Sequence, residues 1–159
     1  MLSLYLAPGS SSMAPHFMLH ELGVPFESRP LSFAREQHKD PAYLAINPEG
    51  KVPTLLIDGR PLTEVAGILF YLARAFPDAG LLPAGDIEAE SRIVSWMSFI
   101  AATVHPARRH GLGPHPAALR LAEIRLGGAD WAAGGLPIAR VHLFRLFSRL
   151  VSAPGGDPS

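Results

Sequence analysis

Three consecutive serines are the first side chains in the sequence whose type and position suggest chemistry. Ser10, Ser11 and Ser12 follow the breaker run 7–9 and precede an apolar stretch that predicts a helix up to Gly23. Serine is a preferred residue at the start of a helix, where its oxygen accepts a hydrogen bond from a backbone N–H. The serines therefore either cap this helix or present a hydroxyl to a ligand. No Gly-x-Ser-x-Gly pattern surrounds them, so a serine hydrolase is not indicated.

The backbone before Pro53 is a second candidate. Pro53 follows a turn predicted at 47–50 and begins a short apolar strand, a place where proline occurs only at an edge, a first position or a bulge. Such a position leaves the N–H and C=O of Val52 free, so that a peptide-like ligand can pair with them as an added strand would. The X-Pro bond in this tight turn is also a candidate for the cis form. The competing interpretation is a rigid turn that feeds a core strand.

A helix start is the third candidate. Asp58-Gly59 predicts a two-residue hairpin turn, residues 60–63 form the return strand, and Glu64 opens a helix. The free N–H groups at a helix N-terminus attract a carboxylate. The buried face of this helix is predicted from its apolar spacing and comprises Val65, Ile68, Leu69, Leu72, Ala73 and Phe76.

The elements that must position these residues follow from turn residues and apolar spacing. Strands are predicted at 2–6 and 26–31, the second at a sheet edge because Pro30 cannot donate a hydrogen bond. A weak, polar helix is predicted at 35–45. Together with the hairpin and the helix after it, residues 1–76 follow the order β-α-β-α-β-β-α of an α/β domain.

The second half of the chain has the spacing of helices only. Residues 77–86 are rich in Pro and Gly and predict a linker. A long helix ending near His110 follows, and further helices are predicted at 116–126 and 141–151, before a frayed tail at 152–159. The apolar face of the long helix comprises Ile93, Trp96, Met97, Ile100, Ala101 and Val104.

The composition excludes several classes of function. The 159 residues carry a formal net charge of zero and are 18% charged, which gives no electrostatic basis for binding nucleic acid or an anionic membrane. The absence of cysteine excludes disulfides, thiolate metal sites and redox chemistry of protein thiols. His105, His110 and His115 are spaced five apart, which does not align them on one helix face, so no metal site is expected.

Neither a membrane span nor a signal peptide is expected. The longest apolar run, 93–104, falls short of the ~20 residues that a span needs. No basic segment followed by an apolar core begins the chain. A soluble, cytoplasmic protein is therefore predicted.

The sequence resembles the glutathione S-transferase family, in its bacterial branch. The residues that carry the resemblance are Asn47-Pro48-x-Gly50-Lys51-Val52-Pro53-x-Leu55, then Leu62-Thr63-Glu64-x-Ala66-x-Ile68-x-x-Tyr71-Leu72, and the N-terminal runs 7–16 and 21–27. The resemblance implies an α/β plus all-α protein. It has a thioredoxin-like domain at 1–76 with a cis-proline at Pro53, a linker at 77–86, and a helical domain at 87–159 that looks shortened for the family.

The reaction implied by the resemblance is attack of the glutathione thiolate on a small electrophile, in a cytoplasmic homodimer with a detoxifying role. Ser11 is the implied hydrogen-bond donor to the sulfur, because it occupies the position where the bacterial cysteine-containing branch has its cysteine; Ser10 is the alternative. His105 resembles a histidine that some bacterial members direct at the thiol from the second domain. The resemblance implies glutathione as co-substrate and no metal.

The remaining implied contacts are with the tripeptide. Lys51 would place its ammonium near the glycyl carboxylate, with a solvated turn lysine as the alternative. Val52 would pair its backbone with the cysteinyl moiety while Pro53 holds that geometry. Glu64 would meet the γ-glutamyl end, whose carboxylate would bind the N–H of Val65.

Two departures from the family pattern support a competing hypothesis. The family normally has serine where this chain has Val65, and losing one hydroxyl bond to a carboxylate costs about 1.5–3 kcal/mol, roughly 10- to 150-fold in affinity. Pro137 and Arg140 replace a helix cap, a loss of ~1 kcal/mol. These departures favour a weak or inactive relic that binds glutathione or a partner without catalysis.

Overall fold

The computed structural model describes residues 1–83, 85–107, 120–122 and 124–125. The chain forms two compact units, Met1–Ala79 and Gly80–Ser159, which divide within the linker predicted at 77–86. The bounds predicted for the two domains remain a prediction.

A four-stranded mixed sheet forms the framework of the first unit. Its strands are β1 (Leu2–Leu6), β2 (Phe26–Pro30), β3 (Thr54–Ile57) and β4 (Arg60–Thr63), in the order β2-β1-β3-β4. β1 and β2 are parallel, whereas β1 with β3 and β3 with β4 are antiparallel. β2 lies at the sheet edge, as Pro30 predicts.

The helices of the first unit are α1 (Met13–Glu21), α2 (Pro41–Leu44) and α3 (Val65–Ala75). α1 is the crossover between the parallel strands β1 and β2, and it packs against α3. Burial of each large aliphatic side chain between the sheet and these helices stabilises the fold by about 1.5–3 kcal/mol. The large apolar side chains buried in this unit include Leu4, Leu6, Met18, Leu19, Leu55, Leu56, Val65, Ile68, Leu69 and Leu72.

The hairpin and the face of α3 agree with the predictions. Asp58 and Gly59 have φ of 49° and 81°, the two positive values that a two-residue type I′ turn requires. Val65 and Ala73 are buried together with the aliphatic residues of α3 between them. Phe76 lies just beyond the helix, with φ −126°, and is only partly buried.

The prediction of one continuous helix at 35–45 is wrong. The segment contains a 3₁₀ turn, Gln37–Lys39, and the single helical turn α2, separated by Asp40. Asp40 has φ −60° and ψ 139°, because Pro41 disfavours the helical conformation of the residue before it.

The second unit begins with α4 (Ile87–Phe99), a π-helical segment (Ile100–Val104) and the short helix α5 (His105–Ala107). The Asp86 carboxylate caps α4 by accepting a hydrogen bond from the Ala89 N–H at 2.9 Å.

The predicted apolar face of the long helix ends early. Ile93, Trp96, Met97 and Ile100 are buried, but Ala101 is exposed. A π turn has more residues than an α turn, so the residues that follow Ile100 leave the face that regular α-helical spacing predicts.

Several sequence predictions lie outside the described residues. Of the helix predicted at 116–126, residues 120–122 and 124–125 are described, and they are helical. The structure does not describe the rest of that helix, the helix predicted at 141–151, the cap at 137–140 or the tail at 152–159. The predicted shortening of the helical domain remains a prediction. None of the helices in the described ranges has the length and apolar character needed to cross a membrane.

Candidate active site

The register of the sheet places three of the predicted site segments at one end of it. Tyr5 near the end of β1 pairs with Thr54 at the start of β3, and Thr54 pairs with Thr63 at the end of β4. The serines follow β1, Val52-Pro53 precedes β3, and Glu64 follows β4. Because antiparallel pairing brings the end of β1, the start of β3 and the end of β4 together, all three segments lie at the same end of the sheet.

The hydroxyls of Ser10 and Ser12 are used within the loop after β1. Ser10 Oγ donates to the Ala7 carbonyl at 2.8 Å and lies 2.6 Å from Ser12 Oγ. Ser12 Oγ accepts from the Ala7 N–H at 3.0 Å, and Ser12 is fully buried. Ser12 is the residue before α1, yet its side chain does not cap the helix. Capping of α1, one of the two interpretations of the serines, is therefore wrong for Ser12, whose hydroxyl instead bonds to Ala7, the residue after β1.

Ser11 differs from its two neighbours. Its carbonyl accepts from the Ala14 N–H at 3.2 Å, and the residue is partly exposed. Within the part of the chain that the structure describes, the Ser11 hydroxyl makes no hydrogen bond. The local geometry therefore favours Ser11 over Ser10 as a donor to a ligand at the start of α1.

The Val52–Pro53 peptide bond is cis, which confirms the predicted isomer. Pairing of β3 with both neighbours begins at Thr54. Among the described residues, neither the N–H nor the C=O of Val52 has a hydrogen-bond partner. The backbone of Val52 is thus available for pairing with an extended ligand.

A buried polar network holds the residues on either side of Val52-Pro53. The carbonyl of Lys51 accepts from the Tyr43 hydroxyl and from Asn47 Nδ2, the latter at 2.9 Å. Thr54 Oγ1 lies 2.9 Å from the Tyr43 hydroxyl and accepts from Asn47 Nδ2 at 3.1 Å. Burial raises the pKa of Tyr43, which keeps its hydroxyl protonated as a donor. The network fixes the chain immediately before Val52.

The sequence identified Asn47 as a turn residue and as part of the family motif, but not as a support for Val52, and it did not identify Tyr43 or Thr54. The Asn47 side chain accepts from the Glu49 N–H at 3.1 Å, the local bond that makes asparagine favourable in turns. Nothing in the sequence near Tyr43 or Thr54 indicated this role, because their hydroxyls lie 2.9 Å apart only in the folded chain, although the residues are eleven positions apart.

Lys51 has its ammonium 2.8 Å from the Glu49 carboxylate. The two side chains are 64% and 51% exposed, so the pair adds at most about 1 kcal/mol of stability. Lys51 therefore keeps a solvated positive charge beside Val52.

The start of α3 is held in an unusual backbone conformation. Glu64 has φ 65° and ψ 127°, values that cost a residue other than glycine about 1–3 kcal/mol and that occur often at functional sites. The first hydrogen bond of the helix joins the Ile68 N–H to the Glu64 carbonyl at 3.0 Å. The N–H groups of residues 65–67 precede it and have no partner inside the helix. This end of α3 can therefore receive an anion.

Val65 contributes to this site through its backbone. Its side chain is 8% exposed and belongs to the buried face of α3. Its N–H is the first of the free donors at the helix start. Glu64, by contrast, is exposed, and its carboxylate has no hydrogen-bond partner among the described residues.

His105 lies at the start of α5 in the second unit. Its predicted role at a thiol remains a prediction. No group of three or more His, Cys, Asp or Glu side chains within the described ranges could hold a metal ion.

Comparison with known proteins identifies the family. Residues 1–74 match the N-terminal domain of glutathione S-transferase. The chain is 38% identical over 105 residues to glutathione S-transferase GST-4.5 of Xanthomonas campestris, covering 66% of this chain and 50% of that protein. It is 37% identical over 107 residues to glutathione S-transferase GstA of Escherichia coli, covering 65% and 53%. The chain spans about half the length of these curated relatives.

The solved structures extend the similarity beyond the first unit. A sphingomonad glutathione S-transferase complexed with glutathione superposes with a TM-score of 0.76 and 30% identity, covering 92% of this chain and 81% of that one. The mixed sheet with α1 and α3 is the thioredoxin-like arrangement that the resemblance implied. The chain belongs to the glutathione S-transferase family, and its first unit is the thioredoxin-like domain of that family.

Proposed function

We propose that this protein is a glutathione S-transferase that joins the thiolate of glutathione to a small electrophile. The observation that carries the proposal is the set of unused polar groups at one end of the sheet: the Ser11 hydroxyl, the Val52 backbone and the N–H groups that begin α3. The sphingomonad relative was solved with glutathione, and the curated relatives are named transferases, which adds support.

Each part of the tripeptide has a complementary group. The cysteinyl moiety pairs with the backbone of Val52 as an added strand, next to Pro53. The γ-glutamyl carboxylate binds the free N–H groups from Val65 onward, and its ammonium meets the exposed carboxylate of Glu64. The glycyl carboxylate lies near the ammonium of Lys51, whose charge is solvated.

The chemical step needs the sulfur in its ionised form. A free thiol has a pKa of about 8.5, and lowering it by two units requires about 2.7 kcal/mol of stabilisation of the thiolate. One hydrogen bond to a charged acceptor supplies roughly 1.5–3 kcal/mol, and the N-terminus of α1 adds roughly 0.3–1 kcal/mol. A hydrogen bond donated by the Ser11 hydroxyl, together with the N-terminus of α1, is therefore large enough to lower the thiol pKa by two units without a protein base.

The thiol proton passes to solvent, and the sulfur lone pair forms the new bond to the electrophilic atom. That atom either expels its leaving group with the bonding pair or, in an addition, passes the pair of its multiple bond to the neighbouring atom, which takes a proton from solvent. Ser10 is the alternative donor, but its hydroxyl already donates to the Ala7 carbonyl. A contribution from His105 belongs to the proposal as a second interaction with the sulfur.

The proposal includes a homodimer, a cytoplasmic location and a detoxifying role. The cytoplasm keeps thiols reduced, which a thiol co-substrate requires. The electrophile is a small molecule whose class is set by residues outside this site.

A conjugation assay with an activated aryl halide, combined with glutathione calorimetry on the full chain, tests the proposal. We expect saturable binding of glutathione, similar binding of S-methylglutathione, and turnover with glutathione only. Absence of binding would contradict the proposal as a whole. Binding without turnover above background would leave the inactive relic, which the names of the curated relatives do not favour.

A further inference from the structure

Two histidines on α1 lie outside the proposed glutathione site. His16 and His20 are one helical turn apart, and their Nε2 atoms are 3.3 Å from each other. The two rings are perpendicular, with centroids 4.7 Å apart. The ring of Phe26 on β2 meets both imidazoles edge-on, at 5.8 Å from His16 and 5.2 Å from His20. The pair is therefore held in place by the helix on one side and an aromatic ring on the other.

We propose that His16 and His20 form a two-histidine site for a divalent transition metal, with Zn²⁺ as the best match. Zn²⁺ binds imidazole nitrogen at about 2.0–2.1 Å in tetrahedral geometry, which places two ligand nitrogens about 3.3 Å apart. The observed separation of 3.3 Å already equals this spacing. Histidines four residues apart on one helix face are also the spacing of a known zinc-binding motif.

Two features limit the affinity. No third protein ligand accompanies the pair within the described ranges, so water completes the coordination. Metal at Nε2 leaves the proton on Nδ1, and Nδ1 of His16 is buried without a hydrogen-bond partner in the described part of the chain. We therefore expect a weaker site than a three-histidine centre. Its consequence is structural: the metal joins two turns of α1 and stabilises the folded state by RT ln(1 + c/Kd), where c is the free metal concentration.

Titration of the full chain with Co²⁺, a spectroscopic substitute for Zn²⁺, tests the site. We expect one equivalent to give the intense visible absorption of a tetrahedral centre, and excess Zn²⁺ to displace it. His20→Ala should weaken binding at least about tenfold, because even the outer hydrogen-bond partners of metal ligands are worth 10–100-fold. His16→Ala should do the same, whereas the control His38→Ala, which alters a histidine packed on Phe33, should bind as the parent does.

Thermal unfolding supplies an independent measurement. Zn²⁺ should raise the Tm of the parent and of His38→Ala, and should raise the Tm of His20→Ala less at the same Zn²⁺ concentration. His20 is exposed, and circular dichroism verifies that the variant is folded. Lack of saturable binding by the parent, or equal affinity in the parent and in both α1 variants, would overturn the proposal.

Discussion

The starts of α1 and α3 lie at the same end of the sheet but are built differently. At α1, two of three serine hydroxyls bond to the loop after β1, and only Ser11 keeps its hydroxyl for a ligand. At α3, the first side chain, Val65, is buried, and the available donors are backbone N–H groups behind the strained Glu64. The N-terminus of α1 therefore offers a rotatable hydroxyl suited to a sulfur, and the N-terminus of α3 offers a fixed set of backbone N–H groups suited to a carboxylate.

Removing the Ser11 hydroxyl at the start of α1 has the largest expected effect, a loss of conjugation rate. Ser11→Ala should lower kcat/KM for conjugation by roughly 10- to 150-fold below the pKa of the bound thiol, because a hydrogen bond worth about 1.5–3 kcal/mol to the thiolate is lost. The pH–rate profile should move to higher pH. Ser10→Ala is the matched control, and it should lower stability more than rate, because its hydroxyl bonds to Ala7 and Ser12. A profile unchanged in Ser11→Ala but shifted in Ser10→Ala would reverse the two assignments.

The segment between the two starts depends on buried side chains. Tyr43→Phe should lower the free energy of unfolding by about 1–3 kcal/mol, because it removes a buried donor to the Lys51 carbonyl. Glutathione affinity should fall as well, since that carbonyl adjoins Val52. Tyr71→Phe, at a partly exposed tyrosine of α3, is the control for loss of a hydroxyl alone. Denaturant unfolding and calorimetry measure both quantities, and equal stability of the two variants would contradict a supporting role for the network.

A hydroxyl can be added to the second start. Val65→Ser should tighten glutathione binding by about tenfold, since about 1.4 kcal/mol from a new bond to the carboxylate corresponds to that factor. The free energy of unfolding should fall, because a mostly buried apolar side chain is lost. Val65→Ala controls for the lost side chain without adding a donor. Equal glutathione affinity in the serine and alanine variants would show that the hydroxyl does not reach the ligand.

The conformation of Glu64 provides the smallest predicted effect on stability. Glu64→Gly should raise the free energy of unfolding by up to about 1 kcal/mol, because glycine adopts φ 65° without the penalty of a side chain, partly offset by its greater freedom when unfolded. Glutathione should bind more weakly, since its ammonium loses a carboxylate. Glu64→Gln keeps the side chain but not the charge, and unfolding curves compare the three proteins. A less stable glycine variant would mean that the backbone at Glu64 is unstrained.

Much of the framework could be predicted from short stretches of sequence. The order of strands and helices, the Asp58-Gly59 turn and the buried face of α3 depend on residue type and on periods of two or 3.6 residues. The cis form of Pro53 was implied by the family resemblance, since the residues alone leave both isomers open. The errors also have local causes. Pro41 divides the predicted helix at 35–45, and the π-helical segment after Phe99 alters the face of the long helix.

The sequence by itself determined that the serines precede α1, that Val52-Pro53 precedes β3 and that Glu64 precedes α3, since each follows from turn residues and apolar spacing next to it. Only the tertiary structure decided which polar groups remain unused there, because a hydroxyl is free or occupied according to partners that arrive from other elements. Ser10 and Ser12 are occupied through the loop after β1, and the Tyr43 hydroxyl of α2 meets the Lys51 carbonyl only in the folded chain. Likewise, the two imidazoles of α1 are paired by their helical spacing, but the ring of Phe26 that meets both comes from a neighbouring strand.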